Sequence, residues 1–326
     1  MPQPGEMAEP VDVTQRSNRF AWATIGALLL LDLVWMSQTA ISVVPLSLVG
    51  PLAIGVGAVM LAVYYRVRRQ ETRLADALDL VGQMTAFMVL GALFSYLVVT
   101  PGLPMRDAAL DGADRLLGLD WLGYLRWLDG HAWFARILSA AYSSFMPQII
   151  LLLVVLPFMG QAQAARVTVF AMIVAGIVTI AISGLVPALS TFAHYGVDLA
   201  DYPHLRPAAA FIHLPDLLAA HSGRPLHLDL TKAYGIITFP SYHAALGLLA
   251  LVGAWSNRWL RWPFLLVNIL MIVATPIDGG HYFSDVLGGL SVAAGSYLLA
   301  RRLLVPADSA MRSGEGQLPI GQPTAS

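Results

Sequence analysis

A chain of 326 residues with 57% hydrophobic and only 12% charged side chains is not an ordinary soluble domain, which would carry about 25% charge. Its net charge of −1 gives no electrostatic case for nucleic acid as a partner. The absence of cysteine excludes disulfides, thiol catalysis and cysteine–metal sites.

Residues 1–19 form a polar tail of mixed charge. The apolar run from about Phe20 lacks a small-residue cleavage site, so it reads as a retained helix and not as a cleaved signal peptide. Apolar runs of roughly 20 residues, each enough to cross a lipid bilayer as a helix, recur along the chain. They predict about eight spans, near 20–39, 43–65, 77–100, 134–157, 167–190, 236–255, 263–277 and 283–304. The expected fold is all-α, a polytopic membrane helical bundle. Pro45 and Pro51 make the boundary between the first two spans the weakest. Between the third and fourth spans, Leu110, Leu116, Leu117, Leu119, Leu122 and Leu125 are interleaved with Asp111, Asp114, Arg115, Asp120 and Arg126. That segment, about Asp107 to Trp127, is expected to be an amphipathic helix in the membrane interface, anchored by Trp121 and Trp127. Residues 305–326 are rich in Gly, Pro, Ser and Gln and read as a disordered tail.

Arginine placement orients the bundle. Arg16 and Arg19 precede the first span, and Arg66, Arg68, Arg69 and Arg73 follow the second. Arg166 follows the fourth, Arg258 and Arg261 the sixth, and Arg301 and Arg302 end the eighth. Alternation puts all of these on one side, which the positive-inside rule makes cytoplasmic, with both termini. The bias is not total, because Arg106, Arg115, Arg126, Arg136, Arg206 and Arg224 fall on the other side. That outer side receives the segments near 101–133, 191–235 and 276–282, and all eight histidines lie on or near it.

Two short stretches at the edges of apolar runs carry the chemistry: Phe239-Pro240-Ser241-Tyr242-His243 and Gly279-Gly280-His281-Tyr282-Phe283-Ser284-Asp285. The distance between His243 and His281 leaves room for one descent and one return, so both should reach the same surface. His281 and Asp285 are four apart and share a face if the last helix starts near His281. An aspartate on Nδ1–H fixes the tautomer and leaves Nε2 free as a nucleophile. A carboxylate at Asp285 within a membrane helix is costly unless it has such a partner. Gly279 and Gly280 allow close approach of backbone to ligand. Ser241, Tyr242, the N–H groups opening the sixth span and the Gly279–Gly280 turn are candidates to hold phosphate oxygens. Tyr142, Ser143, Ser144 and Gln148 form a polar patch read chiefly as interhelical hydrogen bonding, and Gly288, Gly289 and Gly295 as small residues for close packing. Asp278 reads as a loop residue.

The two stretches contain Pro-Ser-x-His and His-x-x-x-Asp, and on these the chain resembles the membrane-bound type 2 phosphatidic acid phosphatase (PAP2) superfamily. The piece Gly280-His281-Tyr282-Phe283-Ser284-Asp285-Val286, the segment Ala113 to Trp121 and Tyr142-Ser143-Ser144 resemble its inositol phosphorylceramide synthase-like branch. The likeness covers roughly residues 100–300, which suggests a catalytic membrane domain at 77–304 preceded by two extra helices at 20–76. It implies a phosphatase or phosphotransferase acting on a lipid phosphate or phospholipid headgroup at the outer face. His281 would attack phosphorus, Asp285 would orient it, and His243 would protonate the leaving oxygen and then activate water or a polyol or alcohol acceptor. No metal or cofactor is implied.

Departures from the family pattern concern the phosphate-binding cations. Arg224-Pro225 is present, but Leu217 stands where the upstream motif has lysine, and Ala274 and Thr275 stand where Ser-Arg is usual. Arg224 and Lys232, in the loop before the sixth span, are the candidate replacements. Two other readings stay open: a metal-dependent membrane hydrolase using His243, His281 and Asp285 or Asp278 with loop histidines, and a transporter in which Asp285 couples protons.

Overall fold

A computed structural model of the chain describes residues 9–209, 211–232 and 235–305, with side chains from residue 13 onward. The tail expected to be disordered lies, from residue 306, outside the described residues. In chain order the elements are α1 (Glu9–Met36), β1 (Ile41–Val43), α2 (Val49–Tyr64), α3 (Thr72–Leu97), α4 (Asp107–Leu116), α5 (Trp121–Asp129), α6 (Ala132–Ser143), α7 (Phe145–Phe158), α8 (Ala162–Leu185), α9 (Thr191–Tyr195), α10 (Leu214–His221), β2 (Leu226–Leu228), α11 (Tyr242–Ala254), α12 (Arg261–Asp278) and α13 (Phe283–Leu304). The fold is all-helical apart from β1 and β2, which pair in parallel with Ile41 opposite Leu226.

Six segments among the described residues are long and apolar enough to cross a membrane: Val13–Met36, Pro45–Arg69, Thr72–Leu97, Ala162–Leu185, Arg261–Asp278 and Phe283–Leu304. The helices α6 and α7 meet at 44° and make a seventh if taken as one broken span. The expected count of eight is therefore too high by the criterion of helix length, for two reasons. Pro147 lies in the first turn of α7; it cannot continue a helix from α6, because its ring opposes the carbonyl four residues back. The run expected to span 236–255 stays extended through Pro240, so α11 has only 13 residues. At 1.5 Å per residue it falls short of a hydrocarbon core of about 30 Å.

Two other expectations change. Helix α1 starts at Glu9, well before the apolar run, because Asn18 is tied into the bundle. The segment Asp107–Trp127 is not one interfacial helix. Gly118, at φ +73°, turns the chain between α4 and α5, and the Asp120 side chain caps α5 by accepting the Gly123 N–H at 3.0 Å. Trp121 is buried and donates its indole N–H to the Pro276 carbonyl at 3.0 Å, so it is a core residue and not an interfacial anchor. Trp127 stays largely exposed.

Helix α8 is the hub, packed on α3, α11 and α13. At one end of the bundle Arg166, only 1% exposed, contacts Asp76 at 2.6 Å and Asp79 at 3.5 Å. Arg66 reaches Asp76 at 2.9 Å. Asn18 joins the same network, donating to Asp79 at 2.6 Å and accepting from Arg166 at 2.6 Å. This buried cluster pins α1 and the end of α2 to α3 and α8. Both histidine motifs, α4 to α6, α9, α10 and the strand pair lie at the other end, since each adjoins the far termini of these same helices.

Candidate functional site

The site is built where α11 and α13 begin. The Ser241 N–H donates to the Asp285 carbonyl at 2.9 Å, so the two motifs are joined backbone to backbone. Small residues permit this. A Cβ on Gly288 would sit 3.2 Å from Pro240, and one on Gly289 would overlap the Ser241 carbonyl. A Cβ on Gly295 would meet nothing within 4 Å, so that glycine has no packing role.

His281 is 4% exposed, and its Nδ1 lies 3.1 Å from Asp285 Oδ2. The same carboxylate oxygen accepts the Tyr282 N–H at 2.9 Å, so Asp285 caps its own helix while facing the imidazole. An ionised carboxylate only accepts, so an ionised Asp285 selects the tautomer with the imidazole proton on Nδ1. Burial lowers the His281 pKa to about 4, opposed by a hydrogen bond to the Thr238 backbone. His243, the second residue of α11, is half-buried: it stacks on Tyr142 at 4.5 Å and meets the edge of Phe145 at 4.8 Å. Tyr142 links the two histidines, since its ring stacks on His243 and its hydroxyl shares the space over Gly279 with the His281 ring. Gly279 separates the two rings' surroundings: a Cβ there would lie 2.6 Å from His281 Cδ2 and 2.8 Å from the Tyr142 hydroxyl.

The remaining candidates divide. Ser241 is fully buried as the N-cap of α11, accepting the Ala244 N–H at 3.4 Å. Tyr242 turns away from the histidines and donates to the Met172 carbonyl on α8 at 2.9 Å, so it is a packing residue here and not a substrate contact. The Gly279 and Gly280 N–H groups are engaged by Thr275 and Ile277 at 3.0 and 3.3 Å, which removes them as phosphate donors. Gly280, at φ +67°, makes the turn into α13, and Gly279 supplies space. At the start of α11, by contrast, the Tyr242 and His243 N–H groups have no acceptor among the described residues. Arg224 bonds Ser222 and lines a separate cavity with Trp35 and Thr100, while Lys232 is exposed beside Asp229. Neither expected cation reaches the histidines. In the polar patch, Gln148 bonds Ser144 and accepts from Asn268 of α12 at 2.7 Å, an interhelical pair as expected.

Of the other histidines, only His213 approaches the pair. It is buried with its ring nitrogens 3.1 Å from the Ala209 and Leu189 carbonyls, and burial lowers its pKa, with His281 adding to the effect. His131, His221 and His227 bond Trp127, Leu103 and Ser42 respectively, His204 faces Asp129, and His194 sits beside Asp111. Among the described residues no three His, Asp or Glu side chains converge as a metal-binding cluster.

Sequence reasoning missed a set of carboxylates around the first turn of α13. Asp114 accepts the N–H groups of Phe283 and Ser284 at 2.7 Å each. Asp107 accepts from the Tyr282 hydroxyl at 3.0 Å and from the Leu189 N–H at 3.0 Å. Asp111 accepts from the Tyr195 hydroxyl, whose pKa is pushed up to about 12 by burial and this bond. The positions 107, 111 and 114 recur at helical spacing, a signal that one face of α4 is acidic. Asp278, expected in a loop, ends α12 as a buried carboxylate that lines one cavity with Ser139.

No curated protein matches the chain, and no solved structure matches it. Residues 108–299 match the family model of the PAP2 superfamily, a region running from α4 into α13 and containing every residue of the histidine site. With more than half of its length in that match and its apolar helices around it, this chain belongs to the PAP2 superfamily.

Proposed function

We propose that the protein is an integral membrane lipid phosphatase or phosphotransferase that works through a phosphohistidine at His281. The observation that carries the reading is the 3.1 Å contact between His281 and Asp285, with His243 beside it at the free N-terminus of α11. In this scheme Nε2 attacks phosphorus as the bond to the leaving oxygen breaks, and that oxygen departs with a proton from His243. The acceptor, water or an alcohol, then gives its proton to His243 as its oxygen bonds phosphorus and the N–P bond breaks. The free N–H groups of Tyr242 and His243 face the anion.

Transfer to a polyol or alcohol acceptor is the second reading. The resemblance of Ala113–Trp121 to the inositol phosphorylceramide synthase-like branch favours it, since Asp114 of that segment grips the helix carrying Asp285. An extracytoplasmic site is the reading that the positive-inside rule supports, with Arg68, Arg69, Arg73, Arg258, Arg261, Arg301 and Arg302 toward the opposite end of the bundle. Arg66 and Arg166 weigh less in that argument, being committed to Asp76 and Asp79.

The test incubates purified protein with labelled lipid phosphates, lipid diphosphates and phospholipids, with and without polyol, and scores phosphate and new phosphodiesters. Turnover that survives His281→Ala in a folded protein would sink the mechanism. Labelling of a cysteine placed at Ser222 from the cytoplasmic side only would sink the orientation.

A further inference from the structure

A cavity of about 250 Å³ is lined by Arg136, Ser139 and Ser143 of α6, by His204 and Arg206, and by Asp278, three residues before His281 in the chain. We propose that this cavity receives the anionic headgroup of the substrate, with Arg136 and Arg206 supplying the positive charge. The inference rests on the phosphoryl-transfer reading of the histidines and says where the charge of the substrate is met.

A phosphate group drawn toward the buried His281 and the half-buried His243 needs compensating charge, since an unpaired ion in such a place is strongly disfavoured. Arg224 and Lys232 lie elsewhere. Among the described residues, Arg136 and Arg206 are the two arginines that line this cavity. Among the described residues, neither has a carboxylate within ion-pair distance. Arg136 bonds only the Ala132 carbonyl at 3.3 Å, and Arg206 only the Pro203 and Leu205 carbonyls at 3.0 and 2.7 Å. Each guanidinium carries five N–H donors, so most remain for a ligand.

Helix α6 links this cavity to the reacting groups. Residues 136, 139 and 143 share one face of it, and the adjacent Tyr142 stacks on His243. The other wall includes Asp278, which Gly279 and Gly280 join in the chain to His281. The cavity is smaller than the roughly 300–1,000 Å³ of drug-sized pockets, which suits a headgroup whose acyl chains remain in the bilayer. Asp278 and the His204–Asp129 pair at 3.6 Å add acceptors that suit hydroxyls on that headgroup.

The experiment measures binding of dioctanoyl phosphatidic acid by titration calorimetry to full-length H281A, which cannot turn it over, with dioctanoylglycerol as the neutral comparator. R136Q and R206Q, each added to H281A, are expected to weaken binding about tenfold, the loss of one charge-assisted contact. R136K and R206K should recover much of it. In the otherwise unaltered enzyme the same Gln variants should raise KM with kcat changed less than about threefold. Unchanged affinity in both Gln variants overturns the proposal while leaving the histidine mechanism standing. Absence of turnover of any lipid phosphate, with phosphatidic acid still bound through the arginines, overturns the mechanism and not the cavity. If the Gln variants misfold, equal affinity of H281A for phosphatidic acid and dioctanoylglycerol overturns the proposal on its own.

Discussion

Ser241 and Asp285 are joined by a backbone hydrogen bond of 2.9 Å, and through it the start of α11 is locked to the start of α13. The consequence is that the geometry between His243 and His281 does not depend on side chains alone. Asp285 supports it twice, by its carbonyl toward Ser241 and by its carboxylate toward His281 and the Tyr282 N–H.

Asp285→Asn tests the carboxylate, because one atom, Oδ2, faces both His281 Nδ1 and the Tyr282 N–H. An amide that keeps its oxygen there retains the α13 cap but brings no charge to the imidazole; one that turns its NH2 there donates to Nδ1, stabilises the wrong tautomer and gives up the cap. Turnover is expected to fall by about 10³-fold or more, as for a misoriented imidazole in a triad. Steady-state turnover and thermal melting of the same preparation check both halves, and near-normal turnover would show that the carboxylate does not set the tautomer.

Asp114 satisfies two N–H groups that open α13, at 2.7 Å each, with a charge at the positive end of the helix dipole. Asp114→Ala leaves both donors buried without acceptors and is expected to cost about 1–3 kcal/mol. Because His281 precedes this turn, kcat should drop more than KM rises, whereas a merely structural loss would lower the amount of active enzyme at unchanged kcat. Asp114→Asn, which retains one acceptor oxygen, should recover part of both. Active-site titration combined with melting distinguishes the two.

The two histidine motifs were legible because their chemistry is local: four residues of helix place Asp285 against His281 without help from the rest of the chain. Helix α4 was misread because amphipathicity does not say which face is inward. In the structure Asp114 is 2% exposed and Leu116 is 90% exposed, since the acidic face has backbone N–H groups and tyrosine hydroxyls to bind. The cations were missed for a related reason. Arg136 and Arg206 are far apart in sequence, and only the return of the 204–207 loop over α6 brings them to one cavity.

Gly279 has an ordinary φ of −97°, so its conformation does not require glycine. Its surroundings do: a Cβ would lie 2.6 Å from His281 Cδ2, 2.8 Å from the Tyr142 hydroxyl and 2.9 Å from the Thr275 carbonyl. Gly279→Ala must therefore push His281 or Tyr142 aside, and about a 10²-fold loss of kcat is expected from displacement on the order of 1 Å. Gly295→Ala is the matched control. Its Cβ would enter open space on α13, and helix propensity alone predicts a gain of about 1 kcal/mol. Equal effects of the two substitutions on turnover would remove the steric argument.

Acid should act on this protein through its buried imidazoles. Burial holds His281 at about 4, and His213 is shifted in the same direction; an exposed imidazole titrates near 6.5. Between those values the unfolded chain binds protons that the folded chain refuses. Stability is therefore full above about pH 6.5 and declines as pH falls toward 4, by up to about 1.4 kcal/mol per pH unit for each such imidazole. The melting temperature in detergent should be flat from pH 8 to 7 and fall steadily from pH 6.5 to 4.5. His213→Gln, which removes one of the two groups without touching His281, should make that fall shallower. A melting temperature that is flat across the whole range would mean that His281 is protonated in the folded protein as readily as in water. Nε2 would then lack its free lone pair in acid, and kcat/KM should fail near pH 6.5 and not well below it.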